Sequence, residues 1–276
     1  MKKCTIEELE RHARDIRVDI VESVYRARSG HPGGSLSIAE ILSVLYFDEM
    51  NIDPANPAWK KRDRFVLSKG HAAPAYYAAL AERGFFPVEY LKTLRKIDSK
   101  LQGHPDMKKV PGVDMSTGSL GQGIAAASGM ALYAKKEGLD YRVYCIVGDG
   151  ESQEGELWEA MMSAAHFGLD NLTVFLDSNE LQIDGNVCNV MNIDPIDKKA
   201  EAFGWNVIKV NGHSVGEISD AIQQAKACKG RPTYIICSTV KGKGVSFMEN
   251  QAGWHGSAPN QEQYERAMLE LTGGVC

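Results

Sequence analysis

The sequence predicts an α/β fold with a mostly parallel central sheet and helices on both faces. Short apolar segments alternate with helical segments along the chain, and this order is typical of such sheets. Two of the apolar segments, Tyr144–Val147 and Leu172–Leu176, are separated by a helical stretch. Together they make a strand–helix–strand unit, which takes about 30 residues. We therefore expect residues 1–276 to form a single domain of this class.

Local signals predict the individual elements in chain order. Thr5-Ile6-Glu7-Glu8 has the pattern of a helix capping box and predicts a first helix from about Ile6. Ser37-Ile38-Ala39-Glu40 predicts a second capped helix, through about Met50. The further predicted strands are Phe65–Ser68, Trp205–Val210 and Thr233–Val240. The further predicted helices follow His71 up to Gly84, open at Thr117–Gly123, lie near Val215–Cys228 and close the chain at Gln261–Leu271.

Composition and charge argue against several classes of protein. The chain is 43% apolar and 24% charged, as soluble globular proteins are. Its net charge of −5 gives no general basic footprint for nucleic acid. No apolar run approaches the roughly 18 residues of a membrane span, and no apolar core of a signal peptide follows Lys2 and Lys3. We therefore expect neither nucleic acid nor a membrane among its partners.

The cysteines are scattered along the chain, and none belongs to a C-x-x-C pair. Cys145 and Cys237 lie inside predicted strands. The other four are Cys4, Cys188, Cys228 and Cys276. This pattern predicts reduced packing residues in a cytoplasmic protein.

Two polar residues follow the two strands of the strand–helix–strand unit. Asp149, in Gly148-Asp149-Gly150, follows the first strand, and Asn179 follows the second. Parallel strands place their carboxyl ends at the same edge of the sheet, where open α/β sheets bind ligands. A carboxylate and an amide brought together there suit a hard cation that holds a phosphate.

Several loops are rich in glycine and carry histidine. They are Ser29-Gly30-His31-Pro32-Gly33, Lys69-Gly70-His71, Gly103-His104-Pro105 and Trp254-His255-Gly256. Glycine allows a ligand to approach the backbone, and histidine donates to oxyanions or moves protons near neutral pH. On one rim, these loops would form a pocket for a hydroxylated, phosphorylated substrate. A single histidine of this kind is usually only a turn residue, which is how we interpret His213; we assign His12 and His166 to structure.

A run of glycines at Gly118-x-x-Gly121-x-Gly123 has the spacing of a dinucleotide-binding fingerprint. The preceding residues, Met115-Ser116-Thr117, do not form a strand pattern, which that fingerprint requires. We therefore attribute these glycines to helix packing.

Taken together, these motifs resemble those of thiamine-diphosphate enzymes, and specifically of transketolases. Gly-Asp-Gly followed by Asn179 resembles the diphosphate and metal motif of the whole superfamily. The histidine loops and Thr-Gly-Ser-Leu-Gly-Gln-Gly at 117–123, in this order, are similar to those of transketolases in particular. The resemblance extends from Ser29 to Gly256 and implies a thiamine-diphosphate-binding fold, with residues 1–276 as the domain that binds the diphosphate.

The resemblance implies a role for each matching position. Asp149 and Asn179 would bind Mg²⁺ or Ca²⁺ through their side chains and Leu181 through its carbonyl, and the N–H of Gly150 would face a phosphate at a helix start. The implied cofactor-binding residues are His71, Gly118, Ser119, Leu120, Asp149, Gly150, Glu151, Asn179, Leu181 and His255. The implied catalytic residues are His31, His71, His104, His255 and Glu154. Glu154 and Glu159 would join a carboxylate network at a subunit interface, although a solvated helix face is an equally good reading of Glu159.

One departure from the family pattern changes the expected assembly. Full-length transketolases continue into a second α/β domain that binds the aminopyrimidine ring and carries the acid that protonates it. No segment of this chain resembles that domain, and Gln261–Leu271 reads as a closing helix. We therefore expect the N-terminal subunit of a split transketolase, with a C-terminal partner subunit in a 2 + 2 heterotetramer. The complex would transfer a two-carbon ketol unit from a ketose phosphate to an aldose phosphate, in the cytoplasm and in the pentose phosphate pathway.

Other readings stay open from the sequence alone. The chain could be a subunit of another thiamine-diphosphate enzyme, of the deoxyxylulose-phosphate synthase type, a dehydrogenase α chain, or a transketolase-like enzyme for an unusual sugar. The first two usually lack this complete set of histidines, whereas the third shares every motif. A non-catalytic phosphate- or nucleotide-binding protein is the alternative from a different class.

Overall fold

A computed structural model describes residues 3–274 and contains a five-stranded, fully parallel sheet in the order β1-β2-β3-β7-β6. A separate antiparallel hairpin is formed by β4 and β5. The strands are β1 Arg64–Leu67, β2 Val143–Gly148, β3 Leu172–Ser178, β4 Leu181–Gln182, β5 Gly185–Asn186, β6 Asn206–Asn211 and β7 Thr233–Ser238. The predicted parallel α/β sheet is confirmed, whereas the hairpin was not predicted.

Helices cover both faces of the sheet. They are α1 Ile6–Ala27, α2 Pro32–Leu36, α3 Ala39–Val44, α4 Ala73–Glu82, α5 Gln122–Lys136, α6 Gly155–His166, α7 Val187–Val190, α8 Ile196–Ala202, α9 Val215–Ala227 and α10 Gln261–Thr272. A π-helical turn follows α3 at Leu45–Glu49, and short 3₁₀ turns lie at Gly70–Ala72, Val88–Thr93, Gly150–Gln153 and Ala252–Trp254. The longer helices agree with the prediction, whereas α2, α7 and α8 were not predicted.

The core has two layers because successive side chains of each strand point to opposite faces of the sheet. On β2, Tyr144 and Ile146 pack into a cluster with α1, α3, α4 and α9. Cys145 and Val147 face the other way, into a cluster with α5, α6 and α8. Both faces are therefore apolar, which explains why the strands read as continuous hydrophobic runs in the sequence.

The start of α1 is confirmed, but the predicted cap of the second helix is wrong. The Thr5 hydroxyl accepts from the Glu8 N–H at 3.2 Å, and the Glu8 carboxylate accepts from the Thr5 N–H at 2.8 Å. The Ser37 hydroxyl instead donates to Asp177 at 2.8 Å, with the Gly34 carbonyl 3.2 Å away, and α3 begins at Ala39 without a side-chain cap. The hydroxyl that the local pattern assigned to the helix cap thus bonds to a buried carboxylate 140 positions away.

The expectation for the cysteines is confirmed only in part. Cys145 and Cys237 are buried in strands, as predicted, and the five described cysteines are all unpaired. Cys188 is exposed on α7 and is no packing residue. Cys276 lies outside the described residues. Within residues 3–274, no helix is both long and apolar enough to span a membrane.

The packing role proposed for the glycines near α5 is confirmed at Gly123. A Cβ atom at this position would lie 2.5 Å from the Cα of Ser68. The backbone of α5 therefore contacts the end of β1 directly, and this contact sets how closely α5 approaches the loop after β1. Gly129, on the same helix, is exposed and has nothing within 4 Å of such an atom.

We predict opposite effects for alanine at these two positions. Gly123→Ala should lower the free energy of unfolding by about 1–3 kcal/mol or more, because backbone must move to admit the methyl group. Gly129→Ala should raise it by about 0.5–1 kcal/mol through helix propensity. Urea denaturation of both variants measures the difference. Equal stability of the two would contradict the close contact.

A second prediction comes from two carboxyl groups that face each other between α1 and α4. Burial, followed by the neighbouring Glu82 carboxylate, raises the pKa of Asp19 to about 8. The folded chain therefore holds a proton that the unfolded chain releases near pH 4, so this group lowers stability as pH rises from about 4 to 8. Asp19→Asn should remove that loss and raise the free energy of unfolding by about 1–3 kcal/mol at pH 8, with no gain below pH 4.

The control for this variant is Asp220→Asn, at an exposed position on α9. It should change stability by less than about 0.5 kcal/mol at every pH. Denaturation curves at pH 4, 6 and 8 separate the two. A gain for Asp19→Asn that does not grow with pH would show that the carboxyl pair is not the cause.

Candidate active site

A cavity of about 460 Å³ opens at the carboxyl edge of the sheet. Its walls come from the loops after β1, β2, β3 and β7, together with the loop before α2 and the β4–β5 hairpin. The predicted site residues that line it are His31, His71, Gly118, Leu120, Asp149, Gly150, Glu151, Glu154, Asn179, Leu181 and His255. The sheet thus brings together residues that are far apart in sequence.

The carboxylate of Asp177 lies at the centre of this edge and is fully buried. It accepts hydrogen bonds from the Lys69 amine at 2.6 Å, the Ser37 hydroxyl at 2.8 Å, the Asn179 amide at 2.7 Å and the Thr239 hydroxyl at 2.5 Å. Burial favours the neutral acid, but Lys69 and these bonds outweigh it and hold the pKa of Asp177 below its usual value. One buried anion therefore joins four separate loops.

The three predicted metal ligands lie together at the cavity wall. The Asp149 carboxylate accepts from the backbone N–H of Glu180 at 2.5 Å, directly beside Asn179. The Asn179 side-chain oxygen accepts from the N–H of Leu181 at 3.2 Å, and both residues line the cavity. Burial, followed by the Asp177 carboxylate, raises the pKa of Asp149 to about 6. A carboxylate, an amide oxygen and a carbonyl are oxygen donors of the kind that a hard divalent cation binds.

Two lysines that line the same cavity were missed by the sequence reasoning. Lys69 follows β1 and Lys241 follows β7, and each is only 2% exposed. The Lys241 amine lies 3.1 Å from the Leu181 carbonyl and 3.1 Å from Nδ1 of His255. Burial, followed by Lys69, lowers the pKa of Lys241 to about 8. A lysine followed by glycine just past a strand end, as in Lys69-Gly70 and Lys241-Gly242, is the signal that could have identified both.

Three of the predicted histidines form one cluster. The ring centroids of His31, His71 and His255 are 5.0–5.4 Å apart. Burial lowers the pKa of His31 and of His255 to about 4, and it lowers the pKa of His71 well below its usual value. All three rings are therefore neutral near pH 7. Each can donate from one nitrogen and accept at the other, which suits proton transfer and hydroxyl binding better than charge neutralisation.

His104 and Ser119 lie next to the cavity and do not line it. His104 packs against Gly118, where an added Cβ would meet the imidazole ring at 2.9 Å, and Gly118 has a positive φ of 146°. Burial, followed by Arg95, lowers the pKa of His104. Ser119 is exposed. Gly118 thus has to be glycine for the two loops to approach.

Glu151 was predicted to bind cofactor, and its carboxylate oxygens already have protein partners. They accept from the Ser68 hydroxyl at 2.5 Å, the Gly121 N–H at 2.9 Å and the Gly148 N–H at 3.0 Å. Its side chain therefore joins the loop before α5 to the ends of β1 and β2. A contact between Glu151 and a ligand would involve its backbone.

The expected helix start at Gly150 requires a correction. Gly150 begins a four-residue 3₁₀ turn, and the α-helix α6 begins only at Gly155. The N–H of Gly150 donates to the side chain of Asp149 at 2.8 Å. A favourable position for an anion here would come from the turn's N–H groups and the two lysines, since the α6 axis begins further along the chain.

The two glutamates of the predicted carboxylate network lie on the surface. Glu154 is exposed at the cavity mouth and Glu159 is exposed on α6. Glu159 lines a second cavity, of about 330 Å³, between α5 and α6, together with Glu156 and Ser128. Glu154 and Glu159 therefore line different cavities of this chain.

A divalent cation with a diphosphate fits the cavity chemically. The oxygen donors and two buried amines line the same cavity, and the Lys241 amine lies 3.1 Å from the Leu181 carbonyl, so a cation and an anionic group would each find oppositely charged partners there. Nδ1 of His31 is buried there without a hydrogen-bond partner, as expected of a group that awaits a ligand. Glycine at 34 and 150 keeps the walls open, since an added Cβ would lie 3.4 Å from His71 and 3.1 Å from Gln182.

Residues 9–272 match a family model described as the transketolase thiamine diphosphate binding domain. Among similar proteins, the 6-deoxy-6-sulfo-D-fructose transketolase subunit SqwG of a Clostridium species is 47% identical over 96% of both chains. One of the apulose-4-phosphate transketolase subunits, from Phocaeicola vulgatus, is 42% identical over 97% of this chain and 95% of its own length.

Complete transketolases are also similar, over part of their length. The human enzyme is 44% identical over 94% of this chain, which spans 41% of that protein. The crystal structure of transketolase from Campylobacter jejuni superposes with a TM-score of 0.92 at 37% identity, over 98% of this chain and 43% of that one.

We predict that the buried ion pair at the sheet edge stabilises the fold. Lys69→Met should lower the free energy of unfolding by about 3–5 kcal/mol, because it leaves Asp177 buried without its counter-charge. The loss should shrink at low pH, where Asp177 becomes protonated and neutral.

The matched control is Lys135→Met, which removes a more exposed lysine paired with Asp170 at 2.8 Å. That change should cost at most about 1 kcal/mol. Denaturant unfolding at pH 5 and pH 8 tests both. Equal effects of the two substitutions would be inconsistent with a central role for Asp177.

Proposed function

The chain belongs to the family of transketolase thiamine-diphosphate-binding domains, and on this premise we propose that it is the N-terminal subunit of a two-chain transketolase. With a C-terminal partner subunit, it transfers a two-carbon ketol unit from a ketose phosphate to an aldose phosphate. The observation that carries this proposal is the meeting of oxygen donors and buried lysines around one cavity that three histidines also line.

The proposed cofactor is thiamine diphosphate with Mg²⁺ or Ca²⁺. Asp149 and Asn179 would bind the cation through their side chains and Leu181 through its carbonyl. Lys241 would balance the charge of the diphosphate, because the charge of Lys69 is already paired with Asp177. When bound, thiamine diphosphate supplies the carbon nucleophile and the electron sink of the reaction. Gly118, Ser119 and Leu120 lie on the loop proposed to face the aminopyrimidine ring. The chain's own groups bind and orient the reactants.

The histidines are proposed to handle the protons of the sugar. His31, His71 and His255, neutral near pH 7, donate hydrogen bonds to substrate hydroxyls and stabilise oxygen atoms that gain negative charge. His104 contributes from the adjacent loop. Glu154, at the cavity mouth, is proposed to act with carboxylates of the assembled complex, and Glu159 to lie at an interface between subunits.

Two observations support a partner subunit. The relatives that match over nearly their whole length are named as subunits, whereas the chain spans about two fifths of complete transketolases. In addition, Ile183 and Val190, at the cavity wall, and the adjacent Met191 are large apolar residues that are 42–68% exposed. Apolar surface beside a ligand cavity is expected where another protein packs. We propose that the C-terminal subunit covers this side in a 2 + 2 heterotetramer and supplies the acid for the pyrimidine ring.

We propose a chemical class of substrates for this chain and not one particular sugar. The relatives are named for different sugars, one for a sulfonated ketose and one for apulose 4-phosphate. Both names describe anionic sugars, so we propose an anionic ketose donor. The pentose phosphate pathway and the cytoplasmic location stay predictions.

We expect the chain alone to show no ketol transfer and to gain it when mixed with its C-terminal partner subunit, thiamine diphosphate and Mg²⁺. A panel of ketose phosphate donors and aldose phosphate acceptors, read by product analysis, measures this.

Thiamine diphosphate with Mg²⁺ should also raise the melting temperature of the assembled protein, because it binds only the folded state. Asp149→Asn should need at least about tenfold more thiamine diphosphate for the same rise in melting temperature, since a neutral amide replaces a charged ligand.

Asp220→Asn is the matched control and should keep both the melting shift and the activity. Removal of divalent cations with a chelator should abolish the shift in the unsubstituted protein. Full activity of the chain by itself would refute the two-chain reading. A melting shift with NAD or ATP in place of thiamine diphosphate would favour the nucleotide-binding alternative.

A further inference from the structure

The loop that carries Lys241 into the cavity is tied down at successive backbone positions. In this segment, Thr239–Gly242, the N–H of Thr239 donates to the Ser178 carbonyl at 3.1 Å and the N–H of Gly242 to the Gly33 carbonyl at 3.0 Å. Between them, the N–H of Val240 donates to a side chain, Nε2 of His213, at 2.8 Å. The position of Lys241 therefore depends on an imidazole ring that lies outside the cavity.

The His213 ring is itself held by a buried ion pair. Its Nδ1 lies 3.1 Å from Oε2 of Glu40, and Arg17 donates to both oxygens of that carboxylate at 2.6 and 2.7 Å. The three side chains are only 9–12% exposed. The residues come from α1, α3 and the turn after β6, so the arrangement connects three elements to the loop after β7.

The hydrogen-bond directions define the state of the ring. Because a backbone N–H can only donate, Nε2 of His213 must carry the lone pair and Nδ1 the proton. The Nδ1 proton then points to Glu40, whose charge is balanced by Arg17. Burial acts to raise the pKa of Glu40, and the bonds from His213 and Arg17 outweigh it, so the carboxylate stays charged.

We propose that Glu40 and His213 form a positioning pair, which fixes the Val240 amide and so places the Lys241 amine in the cavity, beside the Leu181 carbonyl and His255, where the diphosphate is proposed to bind. This inference rests on the proposed function of the cavity and assigns His213 a role beyond the turn predicted from its sequence. The turn itself is present, since the N–H of His213 donates to the Asn211 side chain at 3.0 Å. The ring adds a contact that the turn does not need.

The surroundings of the Lys241 amine explain why its backbone has to be fixed. Its amine is buried beside Lys69, the Leu181 carbonyl and His255, and like charge from Lys69 opposes its position. Gly33 packs on its side chain, where an added Cβ would meet the Lys241 Cγ at 3.1 Å. A shift of the Val240 backbone by a fraction of an ångström would move the amine away from these neighbours, with a direct effect on affinity for an anion.

Two substitutions at 213 separate the two bonds of the ring. In His213→Gln the side-chain amide reaches the position of Nε2, and its oxygen can accept from the Val240 N–H. In His213→Asn the amide reaches only the position of Nδ1, so the bond to Glu40 is kept and that to Val240 is lost. Both remove the imidazole and keep a polar side chain, so a general packing defect affects both.

The first arm is hydrogen exchange of the whole chain without cofactor, read by mass spectrometry on overlapping peptides across Thr239–Gly242. We expect the Val240 amide to exchange at least about tenfold faster in His213→Asn and near the unsubstituted rate in His213→Gln. Peptides from β2 and β3 should be unchanged in both. Unchanged exchange at Val240 in His213→Asn, or equal acceleration in both variants and in the core peptides, would overturn the proposal.

The second arm is titration of the assembled complex with thiamine diphosphate at fixed Mg²⁺. His213→Asn should raise the cofactor Kd by roughly five- to tenfold and leave the KM for sugar nearly unchanged, while His213→Gln restores most of the affinity. A rise in sugar KM with unchanged cofactor Kd would overturn the link to Lys241. Failure of the unsubstituted complex to bind thiamine diphosphate would instead refute the proposed function, and the exchange arm would still decide whether the pair holds the loop.

Discussion

The site depends on a single buried anion, the carboxylate of Asp177. At 0% exposure, an isolated charge would be very costly, and it is tolerated because Lys69 and three neutral donors surround it. Each of those donors belongs to a different loop, so satisfying one carboxylate brings the loops after α2, β1, β3 and β7 into register. The cavity exists where these loops meet, and its shape follows from the hydrogen-bonding demand of a group that does not itself need to touch a ligand.

The chemistry of the cavity follows from its burial. Low solvent exposure raises the pKa of Asp149 and lowers that of Lys241, since both charged forms lose hydration. The same cause keeps His31, His71 and His255 neutral. A cation bound by the Asp149 carboxylate and a polyphosphate beside the Lys241 amine would each supply an opposite charge within this one cavity. Because the histidines are neutral, they can bind hydroxyls and transfer protons.

Close backbone contacts allow the loops to reach one another. Gly70 packs against the backbone at Thr117, Gly118 against the ring of His104 and Gly123 against Ser68, with distances of 2.5–2.9 Å to an added Cβ. The contacts of Gly70 and Gly123 join the segment before α5 and its first turn to the end of β1, and Glu151 adds hydrogen bonds across the same junction. The glycines that resemble a nucleotide fingerprint therefore act as spacers between layers of the fold.

The sequence by itself determined the fold class, the main strands and helices, and the meeting of Asp149 with Asn179, because these depend on local periodicity and on the rule that parallel strands end at one edge. Most of the histidine site followed for the same reason, since loops at strand ends share that edge. Only the tertiary structure decided which partner each polar group takes. The Ser37 hydroxyl donates to Asp177 instead of capping a helix, and the Glu151 carboxylate accepts hydrogen bonds from neighbouring loops. The His213 ring accepts from the backbone N–H of Val240. These contacts join residues 27 to 140 positions apart, and burial, which no local pattern reports, sets their protonation.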